Sequence, residues 1–143
     1  MLVRECLRKS PVTVPPQCTL QEAAELMADQ GVGCVLVVRG DELVGIVTDR
    51  DITIRATAAG RPHRTPVSEV MTEDPVTIQG SADVYEAFQV IKGAGIRRLP
   101  VLEDGDLGGI LTSDDLLVAL VLELGAVASP VAQEILNPQP SSR

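Results

Sequence analysis

Twice the chain sets a threonine, two polar residues and an aspartate just after an apolar run: "GIVTDRDI" over Gly45–Ile52 and "GILTSDDL" over Gly109–Leu116. Thr48 and Asp51, like Thr112 and Asp115, stand three residues apart. At that spacing a hydroxyl and a carboxylate can close a capping box around a helix N-terminus, and an acid in the first turn suits the helix dipole. The same geometry can bind. Amides at a helix start attract phosphate, and a carboxylate there can accept two hydrogen bonds from a cis-diol. Cations for a phosphate are at hand in Arg50 and in Arg97 and Arg98 of "GIRRLPV", since arginine suits bidentate phosphate contacts. The alternative for Arg50 is a solvated helix start, and for Arg97 and Arg98 an ion pair with the acidic hairpin Glu103–Asp106.

Other chemistries lack their residues. His63 is the only histidine, and Cys6, Cys18 and Cys34 have no C-x-x-C spacing, so no metal set is expected. No nucleophile is paired with a base, and the chain is read as not an enzyme. No G-x-G-x-x-G or P-loop pattern is present. A net charge of -8 argues against nucleic acid. With Tyr85 and Phe88 as the only aromatics there is no stacking platform for bases. No apolar run is judged to approach the ~20 residues of a membrane span. Unpaired cysteines without a signal peptide point to a cytoplasmic protein.

The elements that must position the two threonine–aspartate pairs repeat as well. At an offset of 64 residues, Val3–Thr53 aligns with Val67–Leu117 without a gap, with 14 identities in 51 positions. In the first copy, Val12–Val14 reads as a short strand. Thr19 is an N-cap, with Leu20, Ala23, Ala24 and Met27 at helical spacing. Gly31 and Gly33 stop that helix, Cys34–Val38 is a Val-rich buried strand, and Gly40-Asp41 turns into Leu43–Val47. A helix is expected from Asp49 to about Ala59, and in the second copy from Ser113 to about Leu124, with one more short helix in "SPVAQEIL". The unit is β-α-β-β-α, an α/β (α+β) fold used twice: repeat 1 over residues 1–60, a polar linker 61–66, repeat 2 over 67–125 and a C-terminal tail 126–143, loose from Asn137 on.

Two such units, each with "PVT" before the first strand and "GI[VL]T-x-x-D[IL]" at the last helix, resemble a tandem pair of CBS domains, a Bateman module. The resemblance covers residues 1–125 and is closest to small stand-alone bacterial members. It implies pseudo-symmetric repeats packed through their sheets, two clefts, and an adenosine-containing ligand such as AMP, ADP, ATP or S-adenosylmethionine in one or both, with no obligatory cofactor. By the family's pattern Asp51 and Asp115 would hold ribose, and Thr48 and Thr112 ribose or phosphate. Arg98 matches the family's arginine, while Arg97 stands where many members carry histidine. Adenine would lie against Val12, Thr13, Val14, Val32, Gly33 and Ile46 in repeat 1 and against Val76, Thr77, Ile78, Ile96 and Ile110 in repeat 2. Gly33, lacking a side chain, permits close approach. Repeat 1 has Gly33-Cys34 where repeat 2 has Arg97-Arg98, so phosphate binding is expected to be asymmetric. The implied role is a regulatory sensor that signals to an unidentified effector protein by a conformational shift. The alternative is a ligand-free interaction scaffold. A homodimer is implied too, and "LLVALVLELGAV" (Leu116–Val127) is more apolar than one buried helix face requires.

Overall fold

A computed structural model describes residues 1–7 and 10–137. The first repeat supplies β1 (Thr13–Val14), α1 (Leu20–Gln30), β2 (Cys34–Arg39), β3 (Glu42–Thr48) and α2 (Asp49–Asp51), which continues as a π-helical stretch, Ile52–Thr57. The second supplies β4 (Thr72–Glu73), β5 (Ile78–Gln79), α3 (Val84–Ala94), β6 (Arg98–Glu103), β7 (Asp106–Thr112) and α4 (Ser113–Leu136). The β-α-β-β-α order expected from the sequence is therefore present twice.

Strand β1 pairs parallel with β2 and β5 with β6, while β2 and β6 pair antiparallel with β3 and β7. A bulge recurs at the same place, between Val37 and Val38 and between Val101 and Leu102. The hairpin turns need left-handed backbone, met by Gly40 at φ 62° in one repeat and by Asp104 and Gly105 at φ 51° and 89° in the other. Thr19 caps α1, its hydroxyl accepting from the Glu22 amide at 3.1 Å, and Gly31 ends that helix at φ 63°.

The repeats are interlocked. Val3 donates its amide to the Ala82 carbonyl at 2.8 Å, and Val67, 64 positions on, donates to Cys18 at 2.7 Å. Each repeat's leading segment thus packs on the other repeat. Val67 and Val70 join the core of Val14, Ala23, Val35 and Val47, while Val3 and Cys6 join that of Ile78, Leu99, Val101 and Leu111. Strand β4 extends the first sheet to the order β1-β2-β3-β4. Two strand glycines leave room for this exchange. A side chain on Gly45 would strike Met71, and one on Gly109 would strike Leu7. A third cluster, Cys34, Leu36 and Ile46 with Leu43, Leu107 and Ile110, joins the two sheets face to face.

Three expectations change. The helix after Asp49 is α-helical for only three residues before turning π-helical, with the Ala58 amide on the Thr53 carbonyl at 2.9 Å. Ile52, Thr53, Ile54 and Thr57 are β-branched and crowd a tight helix. The helix after Ser113 does not stop near Leu124. It runs unbroken to Leu136 through Pro130, absorbing the separate short helix. Proline at that point removes one backbone bond but keeps a helical φ. By length and composition α4 is also apolar enough to cross a membrane, contrary to the expectation that no run approaches a span. Its start is fixed in the globule, where Leu116 and Ala119 are buried. The loose tail expected from Asn137 lies, from residue 138 on, outside the described residues.

Candidate functional site

Both threonine–aspartate pairs close as capping boxes with the same dimensions. The Thr48 hydroxyl accepts from the Asp51 amide at 3.1 Å and the Asp51 carboxylate accepts from the Thr48 amide at 2.9 Å. Thr112 and Asp115 repeat both distances. Strand and helix are also tied to the preceding loop: the Asp49 amide donates to Gly33 and the Ser113 amide to Arg97, each at 2.9 Å. The Arg50 amide is taken by the Asp49 side chain at 2.9 Å. The first three amides of α2 are therefore all engaged, and a phosphate there must be held by side chains.

Those side chains converge in two clefts, and each cleft takes its parts from both repeats. The first, about 730 Å³, joins Ile46, Thr48, Arg50 and Asp51 of repeat 1 to Val76, Ile96, Arg97 and Arg98 of repeat 2. The second, about 510 Å³, joins Val12, Val32, Gly33 and Cys34 of repeat 1 to Ile110, Thr112, Asp114 and Asp115 of repeat 2. The family's pattern groups the apolar slots by repeat. Face-to-face packing of the sheets crosses them, so Ile46 lines one cleft with Ile96, and Gly33 lines the other with Ile110. Both volumes lie in the range of small-ligand sites.

Val14 and Ile78 lie elsewhere. They are 4% and 6% exposed and sit in the two repeat cores, outside the residues that line either cleft. A strand residue pointing into its own core cannot also face a ligand. The ion pair considered for Arg97 and Arg98 does not form. Glu103, at the far end of β6 from Arg98, is held instead by a two-pronged contact from Arg4, at 3.0 and 2.9 Å.

Two cleft features escaped the sequence. Asp74, Ser10 and Asp114 add polar lining. Arg55 braces Asp51 from behind, its Nε 3.6 Å from the second carboxylate oxygen, and donates to the Val70 carbonyl at 3.0 Å. Its counterpart 64 positions on is Ala119, so Asp115 has no such brace. Only the fold brings Arg55 to the exchanged segment. The charged lining of the first cleft is Asp49, Asp51 and Asp74 against Arg50, Arg97 and Arg98. In the second it is Asp114 and Asp115 against Arg98. Cys34 lines the second cleft, and burial pushes its thiol pKa up, with nearby Arg98 pulling the other way. A protonated, buried thiol is a packing group rather than a nucleophile.

Fold and site together define a class: paired, interlocked α/β repeats whose capped strand–helix junctions line two pseudo-equivalent clefts. The family model for the CBS domain matches residues 3–56 and 67–122, and the chain belongs to the CBS-domain family as a tandem pair. It is 41% identical over 116 residues to the CBS domain-containing protein YhcV of Bacillus subtilis, covering 81% of this chain and 83% of that one. Among solved structures it resembles the CBS domain protein PAE2072 from Pyrobaculum aerophilum complexed with AMP, at TM-score 0.79 and 28% identity, over 88% of this chain and 99% of that one. It also resembles the CBS domain pair of protein MJ0100 in complex with 5′-methylthioadenosine and S-adenosyl-L-methionine, at TM-score 0.76 and 26% identity, over 86% and 98%.

Proposed function

We propose that the chain is a non-catalytic regulatory module that binds an adenosine-type ligand, AMP, ADP, ATP or S-adenosylmethionine, in the first cleft. The observation that carries this is the meeting of Thr48 and Asp51 from one repeat with Arg97 and Arg98 from the other, around the apolar residues Ile46, Val76 and Ile96. The carboxylate suits ribose hydroxyls, the guanidinium groups suit phosphate, and Ile46, Val76 and Ile96 offer a face for adenine. Two relatives of the same fold hold adenosine compounds. Because the cleft is built from both repeats, a ligand that bridges them favours one arrangement, which an effector protein can read. The role needs neither metal nor cofactor and fits a cytoplasmic setting, where Cys6, Cys18 and Cys34 stay unpaired.

Thermal unfolding with AMP, ADP, ATP and S-adenosylmethionine tests the proposal. A ligand at 100 times its Kd adds about 2.7 kcal/mol. No shift with any of the four would leave the interaction scaffold as the function.

Pairing of two copies belongs to the same proposal. Leu117, Val121, Leu124, Ala128, Val131 and Ile135 of α4 are all exposed and recur at alternating four- and three-residue steps, the spacing of a helix-pairing seam. A mass measurement in solution should give twice the chain mass, and Val121→Glu should halve it.

A further inference from the structure

We propose that Arg98 is a cation shared by both clefts, so that a phosphate-bearing ligand in one lowers the affinity of the other for a second. The proposal rests on nucleotide binding at the clefts and adds a coupling between them. Arg98 is the one residue among those described that lines both. It opens β6 opposite Thr112, so its backbone stands beside the second cap. Its side chain crosses to the other repeat. A Cβ on Gly33 would lie 2.5 Å from its Nη2 and 3.5 Å from its Cζ. The missing side chain of Gly33 is therefore the space the guanidinium occupies. Among the described residues the guanidinium takes part in no ion pair, so it is available to a ligand on either side.

The pseudo-symmetry makes this sharing one-sided. The residue equivalent to Arg98 in repeat 1 is Cys34, and the equivalent of Arg97 is Gly33. The first cleft keeps Arg50 and Arg97 when Arg98 is drawn away. The second then faces a phosphate with Asp114 and Asp115 alone. A guanidinium engaged fork-to-fork by one phosphate commits its paired donors. A second phosphate nearby meets the charge of the first without a cation of its own. Coupling of this kind is reciprocal, and typical values change affinity about 5- to 150-fold.

Calorimetric titration with AMP separates the steps. Val76→Trp fills the first cleft from an exposed position, 47% accessible and outside both cores. AMP binding to the remaining cleft of this variant is expected to be at least ~10-fold tighter than the second binding step of the native chain. In the Arg98→Ala background that difference should vanish. Gly33→Ala, whose methyl pushes the guanidinium out of the second cleft, should abolish the weak step and leave the strong one, and it keeps the test open should Val76→Trp misfold. Two equal and independent steps in the native chain, a second step tighter than the first, or a difference that survives Arg98→Ala would each overturn the coupling. No heat with AMP, ADP or ATP would overturn nucleotide binding itself.

Discussion

At the scale of single residues, Asp51 and Asp115 are caps first. Each accepts its threonine amide at the same 2.9 Å, so the two helices start alike whatever the clefts hold. Asp51→Ala and Asp115→Ala should each cost about 1 kcal/mol of unfolding free energy, the worth of a lost cap. Asp51→Ala should also weaken the thermal response to AMP more than Asp115→Ala does, because the arginine-rich cleft lies on its side. Equal losses of stability with an unchanged AMP response would reduce both aspartates to caps. Glu22 offers a test by pH. The Thr19 amide, at 2.9 Å, holds its carboxylate in the charged form and lowers its pKa. A depressed carboxylate stabilises the fold above its unfolded pKa and loses that contribution as pH falls through the folded value. Glu22→Gln should therefore be less stable than the native chain near neutral pH, by a difference that shrinks as pH falls through the folded pKa of Glu22, so that the variant's stability depends less steeply on pH in the acid range. These caps were legible in the sequence because a cap is local: donor and acceptor sit three residues apart. The Arg55–Asp51 pair spans only four residues, but the anchoring of Arg55 on Val70 and Thr72 was not legible, because those partners lie 15 and 17 residues away.

At the scale of elements, the two final helices differ although their caps do not. Ile52–Thr57 is π-helical, whereas α4 stays regular from Ser113, as Leu116, Leu117, Ala119 and Leu120 fit an α-helix better than a β-branched run. The strand glycines carry the sharper prediction. A methyl on Gly45 would meet Met71 down to its Cγ and Cβ, at 2.9 and 3.2 Å, whereas one on Gly109 meets first the end of Leu7, at 2.6 Å. Gly45→Ala should lower stability by about 1–3 kcal/mol in denaturant titration, as overpacking does. Gly109→Ala should cost less, because a terminal methyl can rotate aside. The sequence shows both glycines at equivalent places in the repeat. It does not show what passes over them, since Met71 and Leu7 arrive from the exchanged segments.

At the scale of the whole molecule, interlocking makes the repeats one cooperative body. Val3 and Val67 are both fully buried in the core of the other repeat. Val3→Ala and Val67→Ala should each cost about 2–3 kcal/mol through lost burial and a residual cavity. Unfolding followed by Tyr85 fluorescence in repeat 2 should coincide with the loss of helical circular dichroism from both. Separate transitions would show that the repeats fold independently. The sequence by itself determined the repeat, its β-α-β-β-α order and the caps, because hydrophobic period, turn residues and capping boxes act over a few positions. Only the tertiary structure decided which repeat each leading segment joins, that each cleft is built across the repeats, and that Val14 and Ile78 are core. Those outcomes depend on face-to-face packing of two nearly identical sheets, and no local pattern in a repeated sequence distinguishes a residue that meets its own copy from one that meets the other.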